Sequence, residues 1–91
     1  MSSYDSLAAS YDGLMADAAY LKRADYLDKC LKKSRIEVET ILDLGCGTGT
    51  ISCLLARMGY RVLAADASVE MLTEAMMKSS AMENPPMFLH Q

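Results

Sequence analysis

The stretch TILDLGCGTGT, residues 40–50, is where the architecture of this chain is most legible. It runs from the apolar segment Thr40–Leu44 into glycines at 45, 47 and 49. Ile51, Leu54, Leu55 and Met58 then follow at i, i+3, i+4 and i+7. A short apolar run ending in glycine suits a buried strand of a parallel sheet. The spacing that follows predicts a short helix, stopped by Gly59 at the C′ position. Glycines between the two let the turn reach positive φ and let a ligand approach the backbone with no Cβ in the way. Free amides at the start of the next helix can meet polar or anionic groups.

Downstream, Arg61–Ala65 reads as a second strand, closed by Asp66. Ser68 is placed to cap a helix running to about Ser80, with Val69, Leu72, Ala75 and Met76 facing inward. Asn84-Pro85-Pro86 is a break, and Met87–Gln91 opens a third strand. Upstream, Tyr4, Leu7, Ala8 and Tyr11 share one face of a segment over 4–15 that is expected to end at Asp12-Gly13. Asp17 then caps an amphipathic helix over 17–33 whose stripe is Tyr20, Ala24, Leu27 and Leu31. Asp25–Lys29 and Asp28–Lys32 form i,i+4 ion pairs on the solvated side.

The fold class is therefore α/β: N-terminal helices followed by the first half of a doubly wound parallel sheet of about three strands. Residues 1–38 form a helical cap segment and residues 39–91 an incomplete ligand-binding α/β domain. Later strands of such a sheet add beyond the first strand. That apolar edge is open here, and an open edge is a surface for self-association. A chain that stops in its third strand is expected to be the N-terminal portion of a longer domain.

Composition sets the outer bounds. The chain has 91 residues, 52% of them hydrophobic and 23% charged, which excludes a disordered segment. Asp43, Arg57, Arg61 and Asp66 interrupt every apolar run long before a membrane span is reached. The opening MSSYDSLAASYD has no basic region, so it is not expected to be a secretory signal. The net charge of −3 argues against a nucleic-acid surface. The basic group Lys29, Lys32, Lys33 and Arg35 instead suits the C-terminus of a helix. Three cysteines, at 30, 46 and 53, with no C-x-x-C and a single distant His90, exclude a metal or disulfide framework and favour a reducing, cytoplasmic setting.

Two elements carry chemistry. The glycine loop has no lysine near it, so it is not a P-loop. A dinucleotide fingerprint would close on glycine or alanine at position 50, where Thr50 stands, which counts against NAD or FAD without removing them. Asp66 ends the second strand, where a carboxylate can accept both hydroxyls of a ribose. Ser68 just beyond also fits Asp66 as an acid at a helix N-terminus. Loop and acid together specify an adenosine-containing ligand over the ends of the first two strands.

At these residues the sequence resembles the class I S-adenosylmethionine-dependent methyltransferases, a Rossmann-like family. Asp43-Leu44-Gly45-Cys46-Gly47-Thr48-Gly49 is similar to their first motif, and Asp66-Ala67-Ser68-Val69-Glu70-Met71-Leu72 to the second. Tyr4, Ala8, Tyr11 and Asp12 are similar to the lead-in of many small-molecule methyltransferases. The resemblance implies S-adenosyl-L-methionine as cofactor and a small-molecule methyl acceptor, with a protein or nucleic-acid acceptor as the alternative. It implies that the backbone from Gly45 through Cys46 to Gly47 holds the methionine moiety, with Gly49 also in the cofactor-binding loop, and that Asp43 reaches its amino group through water. Asp66 would take the ribose, Ala67 and Met71 would flank the adenine, and Tyr11, with Tyr4, would close the methionine end. Met71 can equally be core packing, and the two tyrosines can equally bury the first helix. Cys46 reads as a spacer, with no base beside it in sequence to activate a thiol. The resemblance names no catalytic residue, because the family's acceptor contacts come from later strands. A Rossmann oxidoreductase using NAD and a non-catalytic binding module are the other classes the residues leave open.

Overall fold

The computed structural model describes residues 6–91, with side chains from Ala18 onward. Its elements run α1 (Ser6–Lys33), β1 (Thr40–Leu44), α2 (Thr50–Arg57), β2 (Arg61–Asp66), α3 (Val69–Ser79) and β3 (Met87–His90). The three strands form one parallel sheet in the order β1-β2-β3. Leu42 pairs with Leu63, and Leu63 with Met87. A right-handed crossover that always steps the same way keeps its helices on one face of the sheet.

Burial follows from that one-sided arrangement. Ile41, Val62, Ala64 and Phe88 look toward the helices and join a core with Ala24, Leu55, Ala56 and Tyr60. The alternate positions Leu42, Leu44, Met87 and Leu89 are exposed. β1 therefore alternates half-buried and exposed positions along its length. This corrects the expectation of a buried strand: its apolar run is continuous, but among the described residues the helices cover one side only.

Local signals set most element ends. After α2, Gly59 takes φ +105°. The amides of Gly59 and Tyr60 close back on the carbonyls of Ala56 and Leu55, at 3.0 and 3.3 Å. This is the Schellman pattern, in which residues past the helix satisfy its last carbonyls. Ser68 caps α3, its hydroxyl accepting from the Met71 amide at 3.2 Å. Within α3, Leu72 and Ala75 are buried as expected, whereas Val69 and Met76 are exposed and Ser79 is buried in their place. The inward stripe thus runs through 72, 75 and 79.

α1 departs most from expectation. It is one helix of 28 residues that continues through Asp12-Gly13, and Asp17 lies within it rather than capping it. A glycine inside a helix costs about 1 kcal/mol relative to alanine, which a long helix can absorb. Of the expected stripe, Ala24 is fully buried, Tyr20 and Leu31 are half-buried and Leu27 is exposed. Asp28, expected on the solvated side, is buried. It accepts from the Tyr60 hydroxyl at 2.7 Å and pairs with Lys32 at 3.1 Å. The Asp25–Lys29 pair forms in solvent at 3.0 Å.

Candidate cofactor site

The loop between β1 and α2 is built by its glycines. Gly45, Gly47 and Gly49 take φ of 71°, 59° and 77°, a left-handed backbone that L side chains rarely adopt. The amides of Gly45 and Cys46 both donate to the Ala65 carbonyl, at 2.7 and 2.9 Å, which anchors the loop to β2. A Cβ added at Gly45 or Gly47 would stand in open space. One added at Gly49 would meet the Ala75 Cβ at 3.0 Å and the Phe88 ring at 3.3 Å. The first two glycines keep a space clear, and the third allows α3 and β3 to close against α2.

Two carboxylates hold this loop. Asp43, at the C-terminal end of β1, accepts from the fully buried Ser52 hydroxyl at 2.6 Å, so α2 fixes its orientation. Asp66, at the end of β2, accepts from the Gly47 amide at 2.7 Å and the Ser68 amide at 2.9 Å. Donation from Ser68 first, then from Gly47, holds its carboxyl below the usual aspartate range. Asp66 thus joins the loop to the start of α3. The Ser68 bond fits the reading of Asp66 as an acid at a helix N-terminus, and the Gly47 bond brings it beside the glycine loop.

The hollow beside the loop has a volume of about 430 Å³. Asp43, Gly45, Cys46, Gly47 and Thr48 border it from the loop side, and Tyr20, Arg23 and Leu27 of α1 border it from the other. The volume falls in the range of small-molecule sites, roughly 300–1,000 Å³. Asp66 touches the rim through Gly47, while Ala67 and Met71 are exposed beyond it on the β2–α3 side. The Cys46 thiol is pushed up by burial and by the charges of Asp43 and Asp66, so it stays protonated, in keeping with a spacer. His90 is committed elsewhere, its Nε2 standing 3.0 Å from the Ala67 carbonyl. Tyr4 lies outside the described residues, as does the side chain of Tyr11.

The residue pattern missed Tyr20, Arg23 and Ser52. Tyr20 fitted the core stripe, Arg23 lay outside that stripe, and Ser52 lay between apolar positions. The i, i+3, i+7 spacing of Tyr20, Arg23 and Leu27 was the available signal, since it places all three on one side of α1. A second, larger hollow of about 780 Å³ lies at the opposite end of the sheet, between the C-terminal end of α1 and the starts of β1 and β2. Ligands of open α/β sheets bind at the carboxyl ends of the strands, which selects the smaller hollow.

The comparisons with known proteins agree on the region. The family model described as "Methyltransferase domain" matches residues 41–91. "Putative methyltransferase YqeM" of Bacillus subtilis (strain 168) is 43% identical over 88 residues, covering 97% of this chain and 34% of that protein. Magnesium protoporphyrin IX methyltransferase, chloroplastic, of Arabidopsis thaliana is 48% identical over 52 residues, 54% of this chain and 17% of that one. A crystal structure of an S-adenosylmethionine-dependent methyltransferase from Clostridium acetobutylicum ATCC 824 superposes with a TM-score of 0.75 at 32% identity. It covers 93% of this chain and 35% of its own. The chain spans about a third of the length of the first curated relatives it matches.

Proposed function

Because this chain belongs to the methyltransferase domain family, we propose that it is the cofactor-binding part of an S-adenosyl-L-methionine-dependent methyltransferase acting on a small molecule. The observation that carries this reading is the cleared space at Gly45 and Gly47. These two left-handed glycines, with nothing within 4 Å of the point where a Cβ would stand, border a hollow with a carboxylate on its wall. Such a cradle would be filled by side chains if the loop served packing alone.

The residues present fit the cofactor. Gly45, Cys46 and Gly47 offer backbone to the methionyl part, and Asp43, held by Ser52, offers a carboxylate to its amino group. Asp66 keeps acceptor capacity for a ribose, since a carboxylate has about four lone-pair sites and two amides occupy it. Ala67 and Met71 stand exposed where an adenine would extend past Asp66. Gly49 contributes by letting α3 close behind the loop, and Tyr11 is proposed to close the methionine end. When bound, the cofactor supplies an activated methyl group for in-line displacement. The part played by this chain is to hold and orient, and orientation contributes on the order of 7–11 kcal/mol in favourable cases.

A small-molecule acceptor is favoured by the acidic balance of the chain, pI about 4.9, which gives no basic stripe for nucleic acid. The Arabidopsis relative is named for such an acceptor. Among the described residues no helix is long and apolar enough to cross a membrane. A cytoplasmic setting is part of the proposal, supported by the free thiols of Cys30, Cys46 and Cys53. Calorimetric titration with S-adenosylhomocysteine and, separately, NADH tests the cofactor. Saturable binding of the first without the second is expected. Binding of NADH alone would transfer the site to the dinucleotide class, and binding of neither would favour a non-catalytic module.

A further inference from the structure

The side of the sheet turned away from the helices carries two apolar rows. Leu42, Leu63 and Met87 lie abreast across β1, β2 and β3, and Leu44, Ala65 and Leu89 lie abreast one pleat further along. Leu42, Leu44, Met87 and Leu89 are 59, 70, 61 and 42% exposed. Leu63 is half-buried, and Ala65 is buried, so the second row has a dip at its centre. Among the residues of the three strands, Arg61 is the one charged side chain that alternation puts on this side, beside Thr40 at the N-terminal end. The patch is on the order of 400 Å², a size at which a contiguous apolar surface usually marks an interaction site.

The relief of this face matches a second copy of itself in one orientation. A two-fold axis running across the strands would lay β2 antiparallel over β2 of the second copy, with each row over the other row. Leu63 then stands over Ala65 of the second copy, Leu42 over Leu44 and Met87 over Leu89. The large central side chain of one row fills the dip in the facing row, twice by symmetry, as packed layers require. The same axis sends the two Arg61 side chains to opposite ends of the interface. An axis along the strands would instead set Leu63 on Leu63, leave Ala65 facing Ala65 and bring the two cations together. We propose that this chain forms a two-fold dimer by stacking its uncovered sheet face on that of a second copy, strands antiparallel across the interface. Stacked sheets with interleaved apolar side chains are a stable packing, and an isologous two-fold contact is the commonest closed assembly. The proposal rests on the fold and is independent of the cofactor reading. The patch is about half of the roughly 800 Å² per partner of a stable interface, which makes the dimer a weak one, with a Kd on the order of 10–100 μM.

Sedimentation velocity of the whole chain over a concentration series spanning that range tests it. A reversible monomer–dimer equilibrium is expected. Leu42→Lys and Met87→Lys should each weaken the dimer by about tenfold or more, since each sets a charge against an apolar side chain of the second copy. Met77→Lys, on the outer side of α3 and 71% exposed, should leave the dimer within about twofold. Ala65→Leu fills the dip and should weaken the dimer by about tenfold, and adding Leu63→Ala, which exchanges large for small, should recover much of the loss. Tightening by Ala65→Leu would put the axis along the strands and overturn the proposed packing. A dimer that survives both lysine substitutions at 42 and 87, or that Met77→Lys disrupts equally, overturns the assignment of the face. A chain that stays monomeric throughout overturns the proposal and leaves the face to a different polypeptide, and open-ended aggregation in place of a dimer overturns it too. Circular dichroism checks that each variant is folded, and either lysine substitution alone decides if the other does not fold.

Discussion

The two ends of the sheet use space in opposite ways. At the C-terminal ends of the strands, the smaller hollow is bordered by bare backbone at Gly45 and Gly47 and by a carboxylate that α2 holds in place. At the N-terminal ends, the larger hollow adjoins groups that satisfy one another. There Tyr60 bonds to Asp28, and the Asn84 amide bridges the carbonyls of Ala56 and Tyr60, both at 3.1 Å. Volume therefore does not identify the site. What sets the proposed site apart is backbone kept accessible by left-handed glycines at one end, against mutual hydrogen bonding that ties α1, α2 and β2 together at the other.

The largest expected effect tests the division of labour among the glycines. Gly49→Val adds a left-handed β-branched residue against Ala75 and Phe88 and should cost roughly 2–5 kcal/mol of stability in a urea titration. Gly47→Ala meets open space, so its stability cost should stay near 1–2 kcal/mol, the conformational penalty alone. Its methyl group instead enters the space left for a ligand, and affinity for S-adenosylhomocysteine should fall. Equal stability losses at the two positions would erase the distinction drawn between them.

Next in size, Asp66→Ala should lower affinity for S-adenosylhomocysteine by roughly tenfold to a hundredfold, measured by calorimetry. It removes both the proposed ribose acceptor and the tie between the loop and α3. An unchanged affinity would place the ribose elsewhere. Asp28→Asn, at the opposite end, should leave that affinity unchanged and lower the melting temperature at neutral pH.

The smallest effect is a pH dependence at that same end. The Tyr60 hydroxyl, followed by Lys32, holds the Asp28 carboxyl below the ordinary aspartate value of 3.8. A group with a depressed folded pKa stabilises fully above its unfolded pKa, and that stability is lost as the pH falls through the folded value. The melting temperature of the unsubstituted chain should therefore fall below about pH 4, and Asp28→Asn should flatten part of that decline. Parallel curves for the two proteins would show that the Asp28–Tyr60 contact does not couple to folding.

Several features were legible in the residues because their causes are local. Gly59 past α2 and Ser68 before α3 act through hydrogen bonds spanning a few residues, and the structure shows both. The strand–glycine–helix order over 40–58 follows from side-chain periodicity and from the freedom of glycine at positive φ. Asp28 was misplaced because its partner, Tyr60, is 32 residues away, and an Asp–Lys spacing of four looks the same on a buried or a solvated face. Asp12-Gly13 carries a strong turn signal, yet α1 runs through it, since one glycine penalty does not outweigh a long run of helical hydrogen bonds.

From the chain alone came the alternation of strands and helices, the parallel sheet, the glycine loop and the acid that ends β2. Each depends on spacing or on backbone freedom within a short window. Folding in three dimensions added the rest: which face of the sheet is covered, that Gly49 serves packing while Gly45 and Gly47 clear a hollow, and that α1 sets Tyr20 and Arg23 beside Asp43. Those facts depend on contacts between segments far apart along the backbone, and such contacts arise from how helices dock on the sheet rather than from any local preference.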